Sequence, residues 1–128
     1  MSRPELTDFD LWLADMVHRH GEFTALVILT GIGERSVTPL CSTYLHVIGD
    51  EVAWQELAAL FGRSGRDWHG AAFFPTKGRN GGRVDKETAH RRLAELEAKV
   101  TENRMVLNDG HFFDALGRSI KVEPITDS

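Results

Sequence analysis

The sequence predicts an α+β domain of two layers. A mostly antiparallel sheet of five to six strands carries three helices, in the order α-β-β-α-β-α-β-β-β. Three observations predict it. Three segments place apolar residues at helical spacing beside capping residues. Short β-branched and aromatic runs stand between them. The last quarter alternates strand-like runs with turn signals, Asp109-Gly110 and Gly117-Arg118. A length of 128 residues fits one domain, 1–128, with 1–5 and 126–128 as loose ends.

The first helix spans about residues 8–20. Thr7 caps it, and Asp10 three residues on completes a capping-box pattern. Leu6 and Leu11 take the positions of a hydrophobic staple. Phe9, Trp12, Leu13, Met16 and Val17 share one face, and Gly21 ends the helix. Phe23 to Leu29 has no polar alternate face, so it reads as a strand covered on both sides. Gly31 to Ser36 is a turn. A second strand within 37–48, interrupted by Pro39 and best formed from Tyr44 to Ile48, completes a hairpin.

Asp50 is the expected cap of a second helix, about 51–61. Val52, Ala53, Leu57, Leu60 and Phe61 form its apolar face, and Gly62 stops it. A polar loop, Arg63 to Asp67, leads into a strand from Trp68 to Phe74, closed by Pro75. Lys77 to Val84 is a loop with three glycines. Asp85 caps the third helix, about 86–102. Its stripe of Ala89, Leu93, Leu96 and Val100 is narrow and suits one edge of a sheet or a helix–helix seam. The end reads as a meander: Met105 to Leu107, then His111 to Ala115, then an alternating strand through Ile120 and Val122.

Charge is distributed unevenly. The net is −4, with 15 Lys+Arg against 19 Asp+Glu. Residues 1–62 carry a net of −6 and residues 93–128 a net of −3, while residues 63–92 carry +5. Such asymmetry points to an anionic partner. The loop Lys77-Gly78-Arg79-Asn80-Gly81-Gly82-Arg83 is the leading candidate site. Glycines let a backbone approach a ligand, and arginines make forked contacts to phosphate or carboxylate. It matches neither the Walker pattern nor the dinucleotide fingerprint. Asp85 at the helix cap repels an anion there, so the loop cations with Arg91 and Arg92 would hold it. Arg66 and Trp68 extend the candidate set, since an aromatic among cations can stack on a base. The same Trp68 also suits a core strand.

Other functional classes find little support. The single cysteine, Cys41, excludes an internal disulfide and a multi-cysteine zinc site. His18 and His20 point to different helix faces, so the histidines make no metal pattern. No motif calls for a cofactor. No apolar run reaches the ~20 residues of a membrane span, and the start lacks the apolar stretch of a secretory signal. These features fit a cytoplasmic protein with no membrane partner. Asp109 and His111 would share a strand face if the last hairpin forms, as an acid–base pair needs, but Asp109 is also an ordinary turn residue before Gly110.

Three readings follow. The first is a non-enzymatic module whose basic segment meets an acidic protein surface or a short stretch of nucleic acid. At net −4 a general coating of duplex is disfavoured. The second is a homodimer or adaptor, with the third helix's stripe as its seam. The third is a small enzyme using His111, Asp109, Asp114 or Cys41, for which no nucleophile, base and orienter are linked by spacing.

Overall fold

Four strands make one fully antiparallel sheet in the order β2-β1-β3-β4. The computed structural model describes residues 6–34, 36–49, 52–78 and 81–122. The expected cap Asp50, the loop residue Arg79 and the chain ends 1–5 and 126–128 lie outside them. In chain order the elements are α1 (Asp8–His20), β1 (Phe23–Ile32), β2 (Val37–Val47), α2 (Trp54–Gly62), β3 (Gly70–Thr76), α3 (Lys86–Glu102), a 3-10 helix (Arg104–Asp109) and β4 (His111–Asp114).

The α+β class and the antiparallel pairing agree with the sequence reading. The layer count does not. β1 is buried along Phe23–Thr30, so both of its faces are covered. Its odd-numbered residues face one core, built from Phe9 and Leu13 of α1, Trp54, Leu57 and Phe61 of α2, and Phe73 and Phe113 of the sheet. Ile28 faces a second core, with Val100 of α3, Leu107 of the 3-10 helix, Ala72, Phe112 and Val122. Helices therefore lie on both faces, and the sheet is the middle of three layers. Period-two alternation sends neighbouring residues to opposite faces, so a strand apolar at every position requires a cover on each.

α1 forms as its local signals dictate. Thr7 Oγ1 accepts from the Asp10 amide at 3.1 Å, and Asp10 Oδ2 accepts from the Thr7 amide at 3.0 Å. The staple pair Leu6 and Leu11 stays exposed. Asp10 does more than the pattern asks. Its Oδ1 accepts from the Trp54 amide at 3.0 Å, so one carboxylate caps α1 and the start of α2 together. This explains a boundary shift. α2 begins at Trp54 rather than 51, with Ala53 giving no side-chain cap. Its buried stripe is Trp54, Leu57 and Phe61, while Leu60 is exposed.

β1 and β2 run further than expected. β1 continues through Gly31 and Ile32, and β2 runs through Pro39, with a register shift opposite Leu29 and Thr30. A bulge absorbs the prolyl residue's missing donor. β3 likewise starts at Gly70, two residues late, and runs on through Pro75 to Thr76. β4 pairs with β3 only as far as Phe73, so Pro75 lies where that side of β3 has no neighbour.

The closing meander is the largest correction. Met105 to Leu107 is not a strand. Asn103 Oδ1 accepts from the Met105 amide at 3.0 Å and starts a 3-10 helix that ends at Asp109. Asp109-Gly110 does not turn a hairpin either, and the residue before it, Asn108, bonds elsewhere. Its side-chain amide donates to Val122 O at 2.7 Å and accepts from Val122 N at 2.8 Å, replacing a neighbouring strand. The last expected strand is reduced to one bridge, Phe113–Ser119. Among the described residues the sheet thus has four strands instead of five or six.

The turn between these two residues docks on the helix starts. Gly117 O accepts from Phe9 N at 3.0 Å, and Ala115 O accepts from Trp54 Nε1 at 3.0 Å. Gly117 has φ +79, and a Cβ there would lie 2.8 Å from the Thr7 Cβ and 2.9 Å from the Trp54 ring. No other residue fits both the conformation and the space.

Candidate functional site

The basic segment does not form one patch. Arg66 precedes β3, and Lys77 follows it. A strand of seven residues separates them by about 20 Å. Arg66 is exposed at one end of the sheet. Trp68 is half-buried there and packs edge-on to Trp54 and Phe61, with ring centroids 6.1 and 5.5 Å away. It joins the first core and stands apart from the loop cations.

At the other end the cations do converge. An open concavity of about 670 Å³ lies at the N-terminal end of α3. Arg83, Arg91, Arg92 and Thr88 stand in its wall, with Gly78 and Gly81 beside them. Asp85 and Glu87 line it as well, so among the described residues three guanidiniums face two carboxylates. The walls are set by local structure. Gly81 N donates to Gly78 O at 2.9 Å and Gly78 N to Gly82 O at 3.1 Å, closing the loop on itself. Gly81 and Gly82 have φ of +81 and +74, which glycine adopts without strain.

Asp85 caps α3 as its sequence predicts, its Oδ1 accepting from Thr88 N at 2.6 Å. The Thr88 side chain and amide hold the Asp85 carboxyl below its ordinary value, and the nearby Arg91 and Arg92 charges add to this. The cap therefore stays ionised and occupies the helix's own anion position.

The cations are tied to different degrees. Arg92 is pinned: Nη1 donates to Lys77 O at 2.9 Å and to Thr76 Oγ1. Lys77 is outside the wall. Its Nζ donates to His20 O at 2.6 Å, satisfying a carbonyl at the C-terminal end of α1. Arg83 lies 3.6 Å from Glu22 in an exposed pair, which holds it only weakly. Arg91 is exposed and makes no ion pair among the described residues. Among the described residues of the concavity, Arg83 and Arg91 are thus the cations most available to a partner.

Thr24 is a positioning residue that charge counting overlooks. It is fully buried, and its hydroxyl accepts from Val84 N at 3.0 Å and lies 3.0 Å from His46 Nδ1. This bond anchors the C-terminal end of the basic loop to β1. The signal is in the sequence: a hydroxyl in a mostly apolar strand needs a partner.

The other candidates come apart. Asp109 ends the 3-10 helix instead of sharing a strand face with His111, and no ion pair joins them among the described residues. His111 rests its ring on Trp12, with centroids 4.8 Å apart, and burial lowers its pKa from 6.5. Asp114 is committed to the turn, bonding Leu116 N, Arg118 N and Arg118 Nε. Cys41 packs half-buried against the first core. The stripe proposed as a dimer seam is already used: Ala89, Leu93 and Val100 are buried beneath α3. Among the described residues no group of three or more His, Cys, Asp or Glu is placed to hold a metal ion, and no helix is long and apolar enough to cross a membrane. No family model, curated protein or solved structure matches the chain.

Proposed function

We propose that this protein is a binding module whose partner is an acidic protein segment, received in the concavity at the start of α3. One observation carries the reading: Arg83, Arg91 and Arg92 line a single 670 Å³ concavity beside a glycine loop. Arg92 is held rigid, and Arg83 and Arg91 present forked donors suited to carboxylates. The mixed lining favours a partner that also brings a donor for Asp85 or Glu87, as a peptide backbone does. The phosphates of a nucleic-acid backbone bring none, and the chain's net −4 repels a duplex at long range.

The test is fluorescence anisotropy with a labelled Glu-rich peptide and, separately, a short single-stranded oligonucleotide, each at low and high salt. Peptide binding that weakens with salt and is lost in the Arg83→Ala/Arg91→Ala double variant supports the reading. Preference for the oligonucleotide would transfer the site to nucleic acid. Peptide binding equal in parent and double variant would remove the concavity as the site.

A second reading is self-association, favoured by one feature. β2 is an edge strand of 11 residues, Val37–Val47, with no Asp, Glu, Lys or Arg. Natural edges usually carry such charges, a proline or a bulge to block pairing; Pro39 and its bulge interrupt this edge near its start, and Cys41–Val47 runs on without interruption. A dimer joined through backbone bonds would resist salt. Sedimentation at tens of micromolar should then show a salt-insensitive dimer, and a monomer would exclude it.

A further inference from the structure

Among the described residues β2 pairs with β1 alone, so one side of it is open. An edge strand leaves a row of backbone N–H and C=O groups without partners. From Cys41 to Val47 the pairing with β1 is regular, so the open side of that stretch is regular too. A cleft of about 280 Å³ runs beside it, between β2 and α3. Ser42, Thr43 and Tyr44 line it from the strand, and His90, Ala94 and Glu97 from the helix. Ser42 and Tyr44 stand opposite Ile28 and Leu26 and face α3, whereas Thr43 stands opposite Val27 and faces the first core. Three consecutive residues line one cleft because it reaches the strand's backbone along the open side.

A second, independent observation is chemical. Glu97 Oε1 accepts from the Ser42 hydroxyl, and the carboxylate makes no ion pair among the described residues. The Tyr44 ring stands in the same cleft, meeting the His90 ring at a steep angle with centroids 5.6 Å apart. Leu93 and Ala94 give the helix wall an apolar strip. A carboxylate, an aromatic ring and an apolar strip together suit a cation on an apolar stem.

We propose that the groove between β2 and α3 binds an extended segment of another protein by strand addition, with a Lys or Arg side chain of that segment in the cleft against Glu97 and Tyr44. In this mode backbone bonds give affinity and alternate side chains give specificity. The residues flanking the basic one turn to the other face, beside half-buried Cys41, Thr43 and Leu45, where β-branched side chains fit. The self-association reading places a second copy on this same edge. A second copy brings β2, which has no Lys or Arg, and leaves Glu97 unmatched, so charge complementarity favours another chain. The groove shares no wall residue with the basic concavity and stands or falls apart from the acidic-partner reading.

The probe is an acetylated and amidated peptide, Thr-Val-Lys-Val-Thr, titrated into the full chain and followed by proton–nitrogen NMR. Saturable shifts should centre on the amides of Cys41–Val47 and of Glu97. Norleucine in place of the lysine retains the stem without the charge and should weaken binding about 2- to 10-fold. Glu97→Gln, an exposed change that the fold tolerates, should erase that difference. Peptides N-methylated at alternate residues test the backbone, since successive amides of a strand point to opposite sides. Methylating one set should abolish binding and methylating the other should leave it. No saturable shift, or equal effects of the two sets, would overturn strand addition. Equal binding of the lysine and norleucine peptides would overturn the role of Glu97. Sedimentation separates the occupants. A salt-insensitive dimer that excess peptide leaves intact would give the edge to a second copy and overturn this proposal alone. A monomer that binds the peptide would support it and exclude self-association.

Discussion

The two faces of the sheet are built from different materials. The face under α1 and α2 is a cluster of rings: Phe9 lies within 5.6 Å of Trp12, Trp54, Phe73 and Phe113. The face under α3 is mainly aliphatic, with Ile28, Ala72, Val100, Leu107 and Val122 around a single buried ring, Phe112. The polar bonds differ too. On the first face they join secondary-structure ends to each other, as Asp10 joins α1 to α2. On the second they hold a rim of charged loop, as Thr24 holds Val84. The lesson is a division of labour. Rings interlock on one face, and the exposed cations stand at the rim of the other, where a partner can enter.

The comparison breaks most easily at its largest expected effect. Phe9→Ala removes the central ring and should cost about 3–5 kcal/mol in urea unfolding. Leu107→Ala, equally buried on the other face, should fall lower within the ~2–5 kcal/mol range of such truncations. If Leu107→Ala costs more than Phe9→Ala, the ring-cluster face is not the stronger one.

Asp10→Ala comes next. It removes acceptors for the Thr7 amide and hydroxyl and for the Trp54 amide. A loss of about 1–3 kcal/mol is expected. Asp10→Asn retains one acceptor oxygen and should cost less. Equal losses would mean that the carboxylate's charge, and not its bonds, matters.

The pH dependence of His111 should be smaller. Burial lowers its pKa in the folded protein below 6.5, so the unfolded chain binds more protons in the window just beneath that value. Stability from this group is complete above about pH 6.5 and declines as pH falls toward the folded pKa. Urea midpoints from about pH 7.5 to about pH 5 should therefore slope less in His111→Gln than in the parent. Parallel slopes would show that the ring on Trp12 is not desolvated.

The smallest effect on stability belongs to the site. Arg83→Ala with Arg91→Ala should change unfolding free energy by no more than about 0.5 kcal/mol, because both side chains are exposed. Acidic-peptide binding should nevertheless disappear. A large stability loss would place these cations among the fold's supports, beside Lys77 and Arg92.

Much of the molecule was determined by its sequence alone. α1 and α3 have caps made within four residues, Thr7 with Asp10 and Asp85 with Thr88, so local reading finds them. The unbroken apolar run of β1 likewise announced a strand covered on both faces, which already contradicts a two-layer domain. Tertiary structure decided the rest, because the deciding partners are far apart in the chain. Asp10 sets the start of α2 across 44 residues, and Asn108 spends its side chain on Val122, 14 residues away, instead of on a hairpin turn. The basic segment shows the same limit. Its charge is a property of composition, but β3 runs through its middle and carries Arg66 to one end of the sheet and Arg83, Arg91 and Arg92 to the other. A linear charge count adds what an extended strand holds about 20 Å apart.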